Sequence, residues 1–202
     1  QRALPQRPED VGCEESFQEY VQRRTAEFNA HTRKRPRDDR LWLEYAAFQD
    51  QALGDAAGSR QASRAGQEKK LAILERATAQ NPQSEALWGE YLRLAGDLLP
   101  PEQVEDLWDA TLQTLPHSAR LWLQFIGWRR SVFSLYSQME TRYLYSKCLR
   151  RLAAYRQQTI RSRDEVAVQD RAGPSADLEA EGTRLDAQVV QCEEHLLRVF
   201  YE

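Results

Sequence analysis

The sequence predicts an all-α protein built as a solenoid of antiparallel helix pairs, and two observations carry this prediction. A short aromatic motif occurs three times, and each time a proline precedes it by the same distance. Amphipathic segments with helical periodicity lie between the motifs, and no segment has a convincing strand pattern. Such internal similarity is typical of repeat proteins, in which each unit covers the apolar face of its neighbour.

The repeated motif is Leu-Trp, two further residues, and then Tyr or Phe: RLWLEYAAF, ALWGEYLRL and RLWLQFIGW. Each tryptophan stands six positions after a proline, and the two rings of each motif are three positions apart, so they share a helical face. A further tryptophan, Trp108, stands eight residues before a repeat proline, as the apolar residues Phe28 and Leu74 do. The predicted structural core of the repeats comprises Trp42, Tyr45, Trp88, Tyr91, Trp108, Trp122, Phe125, Pro36, Pro82 and Pro116.

The segments between the motifs predict the partner helices. VQRRTAEFNAHTRKRP, EKKLAILERATAQNP and EQVEDLWDATLQTLP are amphipathic, and each ends at a proline, which lacks an amide hydrogen and disfavours helix before it. Asp39, Ser84 and Ser118 follow these prolines, where the N-cap of the next helix is expected. The predicted unit is therefore a helix, a proline turn and a second helix that carries the aromatic pair.

The spacing of the tryptophans locates an insertion. Trp88 and Trp122 are 34 residues apart, a usual length for a two-helix repeat, whereas Trp42 and Trp88 are 46 residues apart. A stretch without large apolar residues lies between the first two motifs. We therefore predict an inserted loop over 54–67.

The chain is predicted to have four parts. These are a flexible N-terminal segment 1–16, a repeat array 17–158, a mobile linker 159–182, and a helix 183–202 that begins a further, degenerate repeat. The linker is predicted because its range is charged, poor in large apolar residues and interrupted by AGPS. Since the sequence opens on Gln1 rather than Met, we expect it to be part of a longer protein.

Composition limits the classes of function. Lys and Arg number 28 against 31 Asp and Glu, which gives a net charge of −3 and argues against a broad duplex-binding surface. Cys13, Cys148 and Cys192 have no CxxC spacing, so they indicate a reducing compartment rather than a disulfide scaffold or zinc site. No apolar run has membrane-spanning length. We expect a soluble intracellular protein.

The aromatic motifs have two interpretations. Exposed rings in a basic groove stack the bases of single-stranded nucleic acid. Here the rings recur in phase with the repeat, which is what packing between helices requires, so the core interpretation is favoured. Trp128, which lies outside the paired positions, is the candidate for an exposed ring.

The basic stretch TRKRPR leaves several alternatives open. Arg33, Lys34, Arg35 and Arg37 are candidates for nuclear import, for an acidic partner or for RNA phosphate, although Asp38 and Asp39 follow directly. Their cations also suit the negative end of a helix dipole. A second short pattern, RQAS at Arg60 to Ser63, has the basic residue that some kinases favour before serine.

The sequence predicts no active site, no metal site and no cofactor. His31, His117 and His195 are dispersed, without the spacing of a triad or a metal centre. There is no glycine-rich phosphate loop. Cys148 and Cys192 lie on apolar helical faces and are interpreted as small core residues. We therefore expect neither enzymatic activity nor a small-molecule substrate, and no contact with a membrane.

The motifs resemble half-a-TPR repeats, the helical repeats of RNA-processing factors. The Trp/Tyr pair of one helix, and ERA followed by Pro82 in the next, carry this resemblance. EFNAHTRKRPRDDRLWLEYAAFQDQ, EKKLAILERA and LYSKCLRRL further resemble the nuclear RNAi-defective-2 protein family. The similarity runs from about Glu27 to Leu152 and weakens at both ends.

This resemblance implies a non-enzymatic scaffold of a nuclear factor that acts in RNA silencing, splicing and restraint of the nuclear exosome. The implied partners are splicing or RNA-decay proteins, and the implied location is the nucleoplasm, with nuclear speckles as a candidate compartment. The family contacts the exosome's RNA helicase through a part expected outside this chain. Direct binding of single-stranded RNA by the basic stretch is the alternative function.

Overall fold

A computed structural model describes residues 16–54, 60–172 and 176–201. Within these ranges the chain forms eight α-helices and a short 3₁₀ helix, without a β-strand, which confirms the predicted all-α solenoid. The elements in chain order are α1 Phe17–Lys34, α2 Asp39–Gly54, α3 Arg60–Gln80, α4 Glu85–Leu98, α5 Pro101–Thr114, α6 Ala119–Ser131, the 3₁₀ helix Phe133–Leu135, α7 Gln138–Ala172 and α8 Ala176–Tyr201.

Side-chain caps fix where the helices begin. The hydroxyls of Ser84 and Ser118 accept hydrogen bonds from the amides three residues later, at the starts of α4 and α6. In α2 this role belongs to Asp38, whose carboxylate accepts from the amide of Leu41 at 3.2 Å. The N-cap expected at Asp39 therefore lies one residue earlier, because Asp38 occupies the same register as the two serines.

The helices pack both with their sequence neighbours and with every second helix. Helices α2 and α3, α3 and α4, and α4 and α5 are in contact, while α2, α4, α6 and α8 also touch in succession. These four even-numbered helices form one layer, and the odd-numbered helices lie outside it. This arrangement is that of a solenoid, in which each helix pair is buried by the next.

A single apolar core runs from Phe28 in α1 to Leu152 in α7. The ring centroids of Phe28 and Tyr45 are 5.1 Å apart across α1 and α2, and those of Trp108 and Phe125 are 5.5 Å apart across α5 and α6. Aromatic contacts of this length add to the burial of apolar surface. The core thus joins consecutive helices through pairs of rings.

Several residues assigned to the core differ in exposure. Trp42, Trp108 and Trp122 are each 2% exposed, whereas Trp88 is half-buried at the edge of the core. Pro82 is exposed, and Pro36 and Pro116 are half-buried, so the prolines belong to turns rather than to the packed interior.

The structure corrects the boundaries predicted on either side of the repeats. Helix α3 begins at Arg60, so residues 60–67 of the predicted loop are helical, and Gly54 ends α2. The linker predicted over 159–182 is helical at 159–172 and 176–182, within α7 and α8. Residues 1–15, 55–59, 173–175 and 202 lie outside the described ranges.

The long α7–α8 pair explains why a charged segment remains helical. Arg156 donates to Glu193 at 2.5 Å, and Arg163 lies 3.6 Å from Asp186, which shows that the two helices run antiparallel. Thr159 is buried between them, together with Leu185. Because the few apolar positions face the partner helix, most of the charge is left at the surface.

Among the described residues, no helix combines the length and the apolar character needed to cross a membrane.

The difference in burial between the tryptophans predicts unequal effects on stability. Replacing Trp122 by alanine removes a buried ring and should lower the free energy of unfolding by about 3–5 kcal/mol. Trp88→Ala should lower it by less, since part of that ring already contacts water. Urea unfolding followed by far-UV circular dichroism measures both variants. Equal losses would contradict the proposed difference in packing.

Candidate protein-interaction surface

All three copies of the motif make the same hydrogen bond. The indole N–H donates to the carbonyl oxygen of the proline six residues earlier: Trp42 to Pro36 at 2.9 Å, Trp88 to Pro82 at 2.9 Å and Trp122 to Pro116 at 3.1 Å. This bond satisfies the polar edge of a ring whose remaining surface is apolar. It accounts for the constant spacing of proline and tryptophan in the sequence.

A cation covers two of the three rings. The Arg76 guanidinium lies 5.7 Å from the Trp42 ring centroid, and the Lys147 ammonium lies 5.9 Å from that of Trp122. Both distances are within the range of cation–π attraction. Each cation is contributed by the next helix along the chain.

At the position equivalent to Arg76 in the next repeat, the sequence has no cation that could lie over Trp88. Arg76 stands six residues before Pro82, and the residue six positions before Pro116 is Ala110. Alanine carries no cation, and Trp88 is half-buried whereas Trp42 and Trp122 are buried. The repeat therefore conserves its anchoring hydrogen bond while the covering residue varies.

Grooves lie beside the two covered rings. The first, which we call the Trp42 groove, has a volume of about 370 Å³ and separates α1 from α3; its lining includes Thr32, Arg33, Pro36, Trp42, Arg76 and Gln80. Its counterpart between α5 and α7, the Trp122 groove, measures about 260 Å³ and includes Asp109, Gln113, Pro116, Trp122, Lys147 and Arg151. Both grooves lie between consecutive odd-numbered helices.

The four basic side chains of the TRKRPR stretch lie in different environments. Arg33 lines the Trp42 groove, whereas Arg37 lines a separate depression at the α3–α4 turn with Asn81 and Ser84. Arg35 pairs with Asp38 at 3.2 Å, and Lys34 is exposed. The four predicted cations therefore do not form one site.

Arg76 was missed by sequence reasoning, although it shares a groove with Arg33. Within the described ranges, neither guanidinium forms an ion pair with a carboxylate. The two residues are 43 positions apart (76 − 33), and they border one groove because α1 and α3 both pack against α2. The sequence signal available for Arg76 was its position six residues before Pro82, one of the repeat prolines.

A larger groove lies between α4 and α6, in the other layer. This α4–α6 groove has a volume of about 590 Å³, and its lining comprises Gly89, Leu92, Arg93, Gly96, Asp97, Trp108, Gln124, Gly127, Trp128, Ser131 and Val132. Trp128, the ring outside the motif pairs, is half-buried in its wall. No sequence motif indicated this groove, because its residues come from three helices.

An exposed apolar patch continues from the end of α6. Phe133 is 96% exposed, and Tyr136, Met139 and Tyr143 are also exposed. Exposed large apolar side chains that lie close together in the chain are a common feature of interaction sites. The patch follows Val132 of the α4–α6 groove directly in the chain.

Among the described side chains that could support chemistry, His117 and Cys192 line one small pocket together with Glu85 and Tyr155. In the described part of the chain, no group of three His, Cys, Asp or Glu residues could hold a metal ion. His117 stacks on Tyr155 with ring centroids 4.6 Å apart, and His31 is exposed on α1. Cys13 lies outside the described residues, as does the side chain of His195.

The RQAS pattern falls within the loop predicted over 54–67, but the structure places it in a helix. Arg60 to Ser63 form the first turn of α3. The side chains of this turn are outside the described residues.

Burial controls the chemistry of the two cysteines on the apolar helical faces. Desolvation raises the pKa of the Cys148 thiol to about 12, and it also raises the pKa of the Cys192 thiol. A raised pKa favours the neutral thiol, which is a poor nucleophile. Neither side chain is suited to nucleophilic chemistry in this fold.

The packing and the grooves together define a class: an α-solenoid of antiparallel helix pairs with recessed surfaces between every second helix. A family model described as "NRDE-2, necessary for RNA interference" matches residues 23–201. The chain belongs to the NRDE-2 family.

Curated relatives agree with this assignment. The chain is 33% identical over 141 residues to the nuclear exosome regulator NRDE2 of Mus musculus, covering 65% of this chain and 12% of that protein. The Homo sapiens protein of that name is 32% identical over 146 residues, with coverages of 67% and 12%. The Dictyostelium discoideum protein is 26% identical over 127 residues, with coverages of 59% and 10%. The chain thus matches a small part of these relatives' length.

The raised pKa of Cys148 predicts slow modification of the folded protein. At about pH 8 an ordinary thiol is partly ionised, whereas Cys148 should remain protonated and react with a disulfide reagent much more slowly. A Cys13→Ser, Cys192→Ser background isolates this thiol, and absorbance of the released thiolate reports the rate. Unfolding in urea should restore ordinary reactivity. Rapid reaction in native buffer would contradict the burial of Cys148.

Proposed function

We propose that this chain is a non-enzymatic scaffold segment of a nuclear factor that regulates RNA decay, and that it binds protein partners through the grooves of its solenoid. Its curated relatives are named nuclear exosome regulators. We further propose that its helix pairs are half-a-TPR repeats and that its partners are RNA-decay or splicing proteins. Roles in RNA silencing, and a location in the nucleoplasm or nuclear speckles, belong to the same proposal.

One observation carries the scaffold proposal: two arginines without ion-pair partners, among the described residues, line the same groove on a packed core. Arg33 and Arg76 come from different helices and both border the Trp42 groove. Carboxylates of an acidic protein segment would complement them through charge-assisted hydrogen bonds. Because the groove is formed by regular helices, its shape is fixed before a partner arrives, which lowers the entropic cost of binding.

Direct RNA binding is the second candidate function, since Arg33, Lys34 and Arg37 lie close together in the chain without an ion pair among the described residues. Stacking of bases would require exposed rings. Trp42 is buried, and Arg76 lies over its ring. Asp38 and Asp39 also disfavour a nearby phosphate chain. An acidic protein segment fits the Trp42 groove better.

We predict that charge reversal in the Trp42 groove removes partners without unfolding the chain. Arg33→Glu with Arg76→Glu should lower recovery of RNA-decay proteins from nuclear extract by about tenfold or more, since each lost charged hydrogen bond is worth roughly 1.5–3 kcal/mol. Quantitative mass spectrometry of affinity-purified chain measures the recovery. Thermal melting shows whether the double variant remains folded.

The matched control is Arg120→Glu with Arg130→Glu, which makes the same change in net charge at exposed positions of α6. Equal loss of partners in the two double variants would contradict a specific role of the Trp42 groove. Steeply salt-dependent binding of a single-stranded RNA, lost only in the Arg33/Arg76 variant, would instead support the RNA alternative.

A further inference from the structure

The α4–α6 groove contains two buried polar atoms without a hydrogen-bond partner in the described part of the chain. They are the indole Nε1 of Trp108, a residue that is 2% exposed, and the carboxamide Oε1 of Gln124. Buried polar atoms in folded proteins are nearly always paired. The three motif tryptophans follow this rule through their prolines, whereas Trp108 has no proline carbonyl in reach of its N–H.

Glycines shape the same groove. A Cβ atom on Gly89 would lie 3.1 Å from Gln124 Oε1, and one on Gly96 would lie 3.0 Å from Trp128 Cδ1. Glycine at these two positions therefore lets both side chains lie against the backbone of α4. A Cβ atom on Gly127 would meet nothing within 4 Å, so the groove is open there. Glycine weakens a helix interior, and here it creates room.

The charges of the groove are already neutralised. Arg93 lies 3.1 Å from Glu90 and 3.8 Å from Asp97. The remaining walls are apolar at Leu92, Trp128 and Val132. A phosphate chain or an acidic segment would find no unpaired cation among the described lining residues. A neutral ligand with one acceptor and one donor is the chemical match.

We propose that the α4–α6 groove binds an extended segment of a partner protein by its main chain. A peptide C=O of that segment accepts from Trp108 Nε1, and a neighbouring peptide N–H donates to Gln124 Oε1. The half-exposed Gln124 side chain rotates to admit the segment, and a side chain of the partner occupies the open space over Gly127. This inference rests on the proposed scaffold function and specifies a second, uncharged binding site for it.

The surroundings favour a polypeptide over a small molecule. Ser131 and Val132 line one end of the groove, and the exposed ring of Phe133 follows them. Tyr136 and Met139, which come soon after Phe133 in the chain, are exposed as well. Aromatic anchors beside a groove are typical of peptide recognition.

The test uses a phage-displayed library of random linear peptides selected on this chain. The strongest binder is synthesised, and its dissociation constant is measured by fluorescence anisotropy. Gly127→Leu fills the open space without a backbone clash and should weaken binding by about tenfold or more. Ala110→Leu adds the same side chain at an exposed position of α5 and should leave the constant unchanged.

Recognition of the main chain has its own readout. A series of peptides in which single amides are replaced by esters removes one N–H donor at a time. One ester should weaken binding to the wild-type chain and have no effect on Gln124→Leu, because that variant already lacks the acceptor. This non-additivity identifies the pair directly. Melting curves confirm that Gly127→Leu and Gln124→Leu are folded.

Several outcomes would overturn the inference. The first is that no selected peptide binds the Gly127→Leu variant more weakly than the wild-type chain. The second is that no ester substitution changes the dissociation constant. The third is that Gly127→Leu instead abolishes binding of a single-stranded RNA. A monomer–dimer equilibrium abolished by Gly127→Leu would assign the groove to a second copy of the chain. Loss of partners in the Arg33/Arg76 variant, alongside failure of the peptide test, would leave the scaffold proposal standing without this site.

Discussion

The hydrogen bond from each motif tryptophan to the carbonyl oxygen six residues earlier is the constraint on which the solenoid depends. It ties the ring of one helix to the end of the helix before it. The proline that provides the carbonyl also ends that helix, since it cannot donate an amide hydrogen. The proline therefore ends one helix, the cap two residues later begins the next, and the indole bond fixes how the ring enters the core.

Because of this constraint, the differences between the repeats lie in the residues around the rings. Each motif indole uses its only polar atom for the turn, and Trp42 and Trp122 are buried, so they offer no base-stacking platform. Arg76 and Lys147 lie over two of the rings, whereas the residue six positions before Pro116, in the register of Arg76, is Ala110. A cation over the ring turns the neighbouring groove into a candidate site for acidic groups. The third motif ring, Trp88, is half-buried.

Features that recur in each repeat could be predicted from the sequence. Features that depend on packing between helices distant in the chain could not. Three copies of one motif indicated the helix pairs and the capping serines, Ser84 and Ser118. The helical state of 159–172 was missed because its stability comes from pairing with α8, through contacts such as Arg156 with Glu193. Arg33 was found in a basic run, whereas Arg76 and the α4–α6 groove required the order of helices in space.

The two principal grooves differ in the chemistry that they can recognise, and they lie in different layers of the solenoid. The Trp42 groove between α1 and α3 presents two cations, while the α4–α6 groove presents a neutral donor and acceptor among apolar walls. A partner with an acidic stretch joined to an uncharged extended segment would engage both. Binding at the first groove raises the effective concentration of the second segment, so affinity exceeds that of either contact alone. A rigid core between the grooves makes this gain possible, because their separation is then fixed before the partner binds.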